Sequence, residues 1–130
     1  MISKVKPMKG SFRRFLTSNG TVVIAGKSAE QNEILVGDFQ NKTNIIMHTA
    51  KPGSPFCVIT EKPKIGDKEE TALLCARKSQ DWRNNKSDVL VHVFTGKDVY
   101  KKKEMPLGTF GVRKFKAVKV AKNEIEKFKA

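Results

Sequence analysis

The dipeptide Asn19-Gly20, set between the runs FRRFLTS and TVVIA, is the feature that most constrains the fold. Asn-Gly tolerates the positive φ angles of a tight type I′ turn, so residues 12–25 are predicted to form a β-hairpin. More short strand-like runs follow. NIIMH and FCVIT flank a turn at Lys51-Pro52-Gly53, and DVLVHVFT alternates with Val89, Val91 and Val93 on one side, as a half-buried strand does. KDVYKKKEMPLG reads as a basic loop. TFGVRKFKAVKV reads as a last hairpin or bent strand, with Phe115, Ala117 and Val118 set among Lys114, Lys116 and Lys119.

Two segments carry helix signals. Ser28 followed by Gln31 is a capping box, and Ile34, Leu35 and Phe39 supply an apolar face. Asp67 with Glu70 opens a longer helix by the same logic, running to about Arg83, where Asn84-Asn85 breaks it. The end, AKNEIEKFKA, is a short helix or a frayed tail. Strands outnumber helices and are joined mostly by turns, which predicts an α+β fold: a mainly antiparallel sheet with two principal helices packed against it. No repeat or linker divides the chain, so residues 1–130 are expected to form a single domain, its core at about 10–120 and a tail at 121–130.

Charge narrows the function. Lys and Arg number 26 against 13 Asp and Glu, a net +13, which attracts polyanions: nucleic acid or an anionic membrane face. MISKVKPMKGSFRRF lacks the apolar core of a secretory signal, and no apolar run approaches the length of a membrane span. The expectation is a cytoplasmic protein without a membrane partner, in which Cys57 and Cys75, forming no CxxC pair, stay reduced inside the core.

Catalytic patterns fail their own tests. The stretch IAGKSAEQNE contains the Gly-Lys-Ser of a phosphate-binding loop, but position 21, where the first glycine belongs, is Thr21. The separations of His48, Cys57, Cys75 and His92 match no familiar zinc pattern, and both cysteines lie in apolar runs, where an inert thiol is usual. Glu69-Glu70 sit at a helix start, where they complement its dipole. No catalytic residue, metal or cofactor is therefore expected.

A binding face is the stronger reading. Arg13 and Arg14 neighbour Phe12 and Phe15, and Lys27 stands at a helix N-terminus, where free N–H groups favour an anion. His48 ends a strand beside Lys51 and Ser54. Arg77, Trp82 and Arg83 share the second helix, with Lys78 four residues before Trp82. Lys101, Lys102 and Arg113 complete the basic set. Lys and Arg would neutralise phosphates, Gln31, Asn32 and Ser54 would hydrogen-bond, and Trp82 would offer a stacking platform. Two side chains carry alternatives: His48 as a structural strand histidine, and Trp82 as an edge of the core. A lysine-rich set with few aromatics points to backbone and shape recognition.

The order of these pieces resembles the NFACT-R family, formerly DUF814. Phe12-Arg13-Arg14-Phe15, Ser18-Asn19-Gly20, Gly26-Lys27 and Gln31-Asn32 with Leu35 are similar to its opening; NIIMHTAKPGSPFCVI, EETALLCARKS and VYKKKEMPLG continue the likeness over about residues 10 to 120. Asn44 replaces a usual Asp, Ile46 and Met47 replace aromatic residues, and Lys78 takes a tyrosine's slot. Long members of the family act in ribosome-associated quality control, binding a stalled large subunit and tRNA with the help of further domains. The resemblance implies a standalone R domain that binds structured RNA, either rRNA or tRNA, with the large ribosomal subunit as a partner. Phosphate-led contact also leaves DNA binding open. Two other classes remain: an RNA-processing or RNA-modifying enzyme centred on His48, and a protein-interaction adaptor whose charge serves solubility.

Overall fold

The computed structural model describes residues 12–129, so the first positions of the expected core, 10 and 11, lie outside the described residues. The hairpin forms as β1 (Arg13–Leu16) and β2 (Val22–Ala25), with Leu16 opposite Val22. Its turn differs from the expectation. Thr17 and Thr21 still pair, Thr17 N–H donating to the Thr21 carbonyl at 2.9 Å, which leaves the three-residue loop Ser18-Asn19-Gly20. Only Gly20 in this loop is left-handed (φ 82°), whereas a type I′ turn needs two such residues.

Helix α1 (Ala29–Phe39) starts at Ser28, whose hydroxyl accepts from the Gln31 N–H at 3.1 Å. The return contact of a capping box is displaced by one residue: Gln31 Oε1 accepts from the Lys27 N–H at 3.0 Å. Strands β3 (Ile45–Thr49) and β4 (Cys57–Ile59) follow, then α2 (Asp67–Arg77). Here Asp67 does not cap. Gly66, with φ 93°, holds the cap position, and the Asp67 carboxylate accepts from Asn19 Nδ2 (2.9 Å) and the Lys64 N–H (2.8 Å), stapling the β1–β2 turn to the helix. Burial alone would raise this carboxyl, but hydrogen bonds from Thr21, Asn19, the Lys64 N–H and Thr17 hold it far below the ordinary carboxylate range.

The long helix expected to reach Arg83 breaks earlier. Ser79 caps a separate helix, α3 (Gln80–Asn85), because its hydroxyl accepts from the Trp82 N–H at 3.1 Å. Beyond it come β5 (Val89–Thr95), a single 3-10 turn at Gly96–Asp98, β6 (Val99–Tyr100), β7 (Gly111–Val112), β8 (Lys116–Val120) and α4 (Lys122–Lys127). Residues Lys122–Lys127 are thus a short helix, with Ile125 completely buried.

Six strands form one antiparallel sheet in the order β1-β2-β4-β3-β5-β8, while β6 and β7 pair separately as a ribbon. Alternation along each strand sends neighbouring side chains to opposite faces. Val23, Met47, Cys57, Ile59, Val89 and Val91 meet α2, α3 and α4 on one face through Leu74, Cys75, Ala76, Trp82 and Ile125. Ile46, Val58 and Phe94 meet Leu35 and Val36 of α1, with Phe110 and Val112 of the ribbon side, on the other. The architecture is the expected α+β, with the two longest helices on opposite faces of the sheet.

Candidate nucleic-acid interface

At the sheet end where β2 stops and β4 starts, several loops and helix ends converge. Register places Arg13 opposite Ala25, one residue before Gly26-Lys27-Ser28. The β3–β4 turn brings Gly53, Ser54 and Pro55 alongside, and the end of α2 and the body of α3 contribute Lys78 and Arg83. The result is a cleft of about 260 Å³ lined by Arg13, Gly26, Lys27, Ser28, Asn32, Gly53, Ser54, Pro55, Lys78 and Arg83: four cations and no carboxylate. Arg83 is aimed by its neighbours, Nη2 donating to Gln80 Oε1 at 3.0 Å and Nη1 to the Lys78 carbonyl at 3.4 Å. With four cations and no counter-charge on its walls, the cleft attracts a polyanion.

A second depression adjoins it on the α1 face of the sheet. It measures about 570 Å³ and shares Asn32, Gly53 and Ser54 with the cleft. Rings form its walls. His48 packs on Phe56 with centroids 4.2 Å apart, Phe56 meets Phe110 edge-on at 5.9 Å, and His92 stacks on Phe115 at 3.9 Å. The two histidines are cross-strand partners between β3 and β5. Burial lowers the pKa of His48, opposed by a hydrogen bond to the Thr49 carbonyl (2.9 Å) and aided by nearby His92; burial also lowers that of His92. Both rings are therefore neutral at pH 7.

Of the residues singled out from sequence, Arg13, Lys27, Asn32, Ser54 and Arg83 come together in the cleft, and His48 lines the adjoining groove. The others lie elsewhere. Trp82 is not a stacking platform: it is 4% exposed, packed in the core under Lys86. Gln31 is buried, its side chain closing the turn into α1. Lys101 is not an unengaged cation: its Nζ donates to Glu33 Oε1 (2.9 Å) and to the carbonyls of Pro106 and Thr109 (both 2.8 Å). Arg77 reaches the Ile125 carbonyl at 3.4 Å, tying α2 to α4. Lys51 lies 3.7 Å from Asp81, and Arg14 lines a different groove with Phe15, Glu70 and Phe128. Lys102 and Arg113 flank Tyr100 on the ribbon, at 5.7 and 5.0 Å from its ring.

Lys78, noted in the sequence beside Trp82, also joins the cleft, and the structure adds Phe56, His92, Phe110 and Phe115 to the groove. One signal for His92 lay in the alternation of DVLVHVFT, which sets it on the face opposite Val91 and Val93. The thiols take no part: a hydrogen bond with Cys75 and burial push the Cys57 thiol well above its ordinary value, and both cysteines are buried. Among the described residues no cluster of His, Cys, Asp and Glu is placed to hold a metal, and no helix is long and apolar enough to cross a membrane.

A phosphate-attracting cleft running into a surface of aromatic rings is the general build of a nucleic-acid-binding domain. The chain belongs to the NFACT-R family, described as the NFACT protein RNA binding domain, whose family model matches residues 11–114. It is 33% identical over 88 residues to the archaeal Rqc2 homolog aRqcH of Methanocaldococcus jannaschii, a stretch that is 64% of this chain and 13% of that protein. The chain thus spans a small part of the curated relative it matches. Its fold is similar to that of the C-terminal part of the fibronectin/fibrinogen-binding protein from Streptococcus suis, with a TM-score of 0.79 over 98% of this chain and 53% of the other, at 23% identity.

Proposed function

We propose that this chain binds RNA through the basic cleft, its cations pairing with backbone phosphates, and that it serves ribosome-associated quality control in the cytoplasm with rRNA or tRNA as its partner. The convergence of Arg13, Lys27, Lys78 and Arg83 from four separate parts of the fold, with no carboxylate among them, is the observation that carries this reading. Family membership supports RNA as the polyanion, and the likeness to an Rqc2 homolog supports the ribosomal setting.

The role is binding and not catalysis. The Thr49 carbonyl can only accept, so His48 Nδ1 carries the proton, and this bond with the Phe56 packing holds the ring in place. A His48→Ala protein that binds RNA normally but loses RNA turnover present in the wild type would move the reading to an enzyme.

Fluorescence anisotropy with labelled tRNA and with single-stranded RNA over a salt series tests the proposal. If all four cleft cations meet phosphates of a single strand, the log–log slope is about −3, and each single alanine variant reduces it by about 0.7. Salt-independent binding, or a slope untouched in all four variants, refutes it.

A further inference from the structure

The aromatic groove goes beyond what a phosphate-binding cleft requires. A protein reading an RNA helix by its backbone has no use for open rings, because duplex bases are stacked on each other and the deep A-form groove keeps side chains out. Here rings line the depression that continues from the cleft through Asn32, Gly53 and Ser54. Phe115 is 48% exposed although it stacks on His92, and Leu107, which also lines the groove, is 55% exposed. Neither depression is lined by a carboxylate that would repel a phosphate. The groove's volume of about 570 Å³ falls within the usual range for sites that enclose small organic ligands, so a nucleoside can enter. Neutral imidazoles and phenyl rings are stacking surfaces for any base, since every base has a π-face.

We infer that the groove takes unpaired bases of a single-stranded RNA segment whose backbone phosphates occupy the adjoining basic cleft. This rests on the RNA reading above and sharpens it: the domain recognises a loop, a bulge or a strand end in preference to a continuous helix. The Phe115–His92 stack is the outer platform, and the His48–Phe56–Phe110 rings form the inner wall.

The test compares a short labelled oligouridine with a blunt-ended RNA duplex of the same length at one salt concentration, for the wild type, Phe115→Ala and His92→Ala. Phe115 is half exposed, so its truncation leaves the core intact, which circular dichroism checks. The single strand is expected to bind about tenfold or more tightly than the duplex. Phe115→Ala should lower single-strand affinity about five- to tenfold with duplex binding and the salt slope unchanged. Equal affinity for both RNAs, with both variants behaving as wild type, overturns this inference and leaves the phosphate reading standing. Failure to bind either RNA at low salt overturns both.

Discussion

Lys101 separates an anchoring role from a binding role most cleanly. Its ammonium donates to Glu33 Oε1 and to the carbonyls of Pro106 and Thr109, lies 4.8 Å from the Phe110 ring centre, and Glu33 Oε1 also accepts from the Gly108 N–H at 2.7 Å. These bonds pin the loop carrying Leu107 and Phe110, one wall of the aromatic groove, against α1. Lys101→Met keeps the aliphatic stem and removes the donors. A bond to a charged group contributes about 1.5–3 kcal/mol when sheltered, but these side chains are 23% and 29% exposed, so about 1 kcal/mol for each of the three is the fitting figure. The expected loss is about 2–3 kcal/mol, or about 10 °C in Tm for a domain of this size. Urea unfolding followed by circular dichroism measures it.

Glu33→Gln supplies the discriminating arm. If Lys101 met phosphates directly, releasing it from Glu33 and removing a negative charge would tighten RNA binding. If it anchors the loop, the same change loosens the groove wall, weakens single-strand binding and lowers stability. The Gly108 N–H and then Lys101 lower the Glu33 pKa, so this stabilisation is present at neutral pH and is lost as pH falls below the unfolded carboxylate value of about 4.3 and through the folded one. A Lys101→Met protein of unchanged stability, with RNA affinity down and its salt slope smaller by about 0.7, would refute the anchor.

Two further outcomes follow from the core and the histidines. Ile125→Ala should cost about 2–5 kcal/mol in urea unfolding because the side chain is fully buried; a loss well under 1 kcal/mol would mean that α4 is a frayed tail. His48 and His92 have depressed pKa values in the fold, so on acidification from about 6.5 downward the unfolded chain binds more protons and stability falls. His48→Phe should flatten that dependence, and an unchanged urea midpoint between about pH 7 and pH 5 in the wild type would contradict it.

Local chemistry wrote much of this fold directly into the chain. Asn19-Gly20 forces a reversal and Ser28 starts a helix, because each feature depends on backbone preferences within a few residues. The alternation of β5 fixes which side chains share a face, whatever strand lies alongside. The family motif is likewise a linear order, and it was legible. Ser79 reads as one of the small positions of a helix expected to reach Arg83, because nothing in the local sequence marks it as a cap until the helix restarts there.

The binding face was legible only as a composition. A net charge of +13 announces an anionic partner but does not say which of 26 cations assemble. That selection is tertiary: strand register sets Arg13 beside the end of β2, and the break between α2 and α3 brings Lys78 and Arg83 to the same place. Trp82 was open to either reading by residue type and the core takes it, while Lys101 looked like a surface contact and Glu33 holds it. His48 and His92, distant in sequence, become cross-strand partners because β3 pairs with β5. Amino-acid type and local order determined a basic α+β domain of the NFACT-R family. Which charges and rings share a surface was decided by long-range pairing, because hydrogen-bond register and helix packing act between segments that carry no mark of each other.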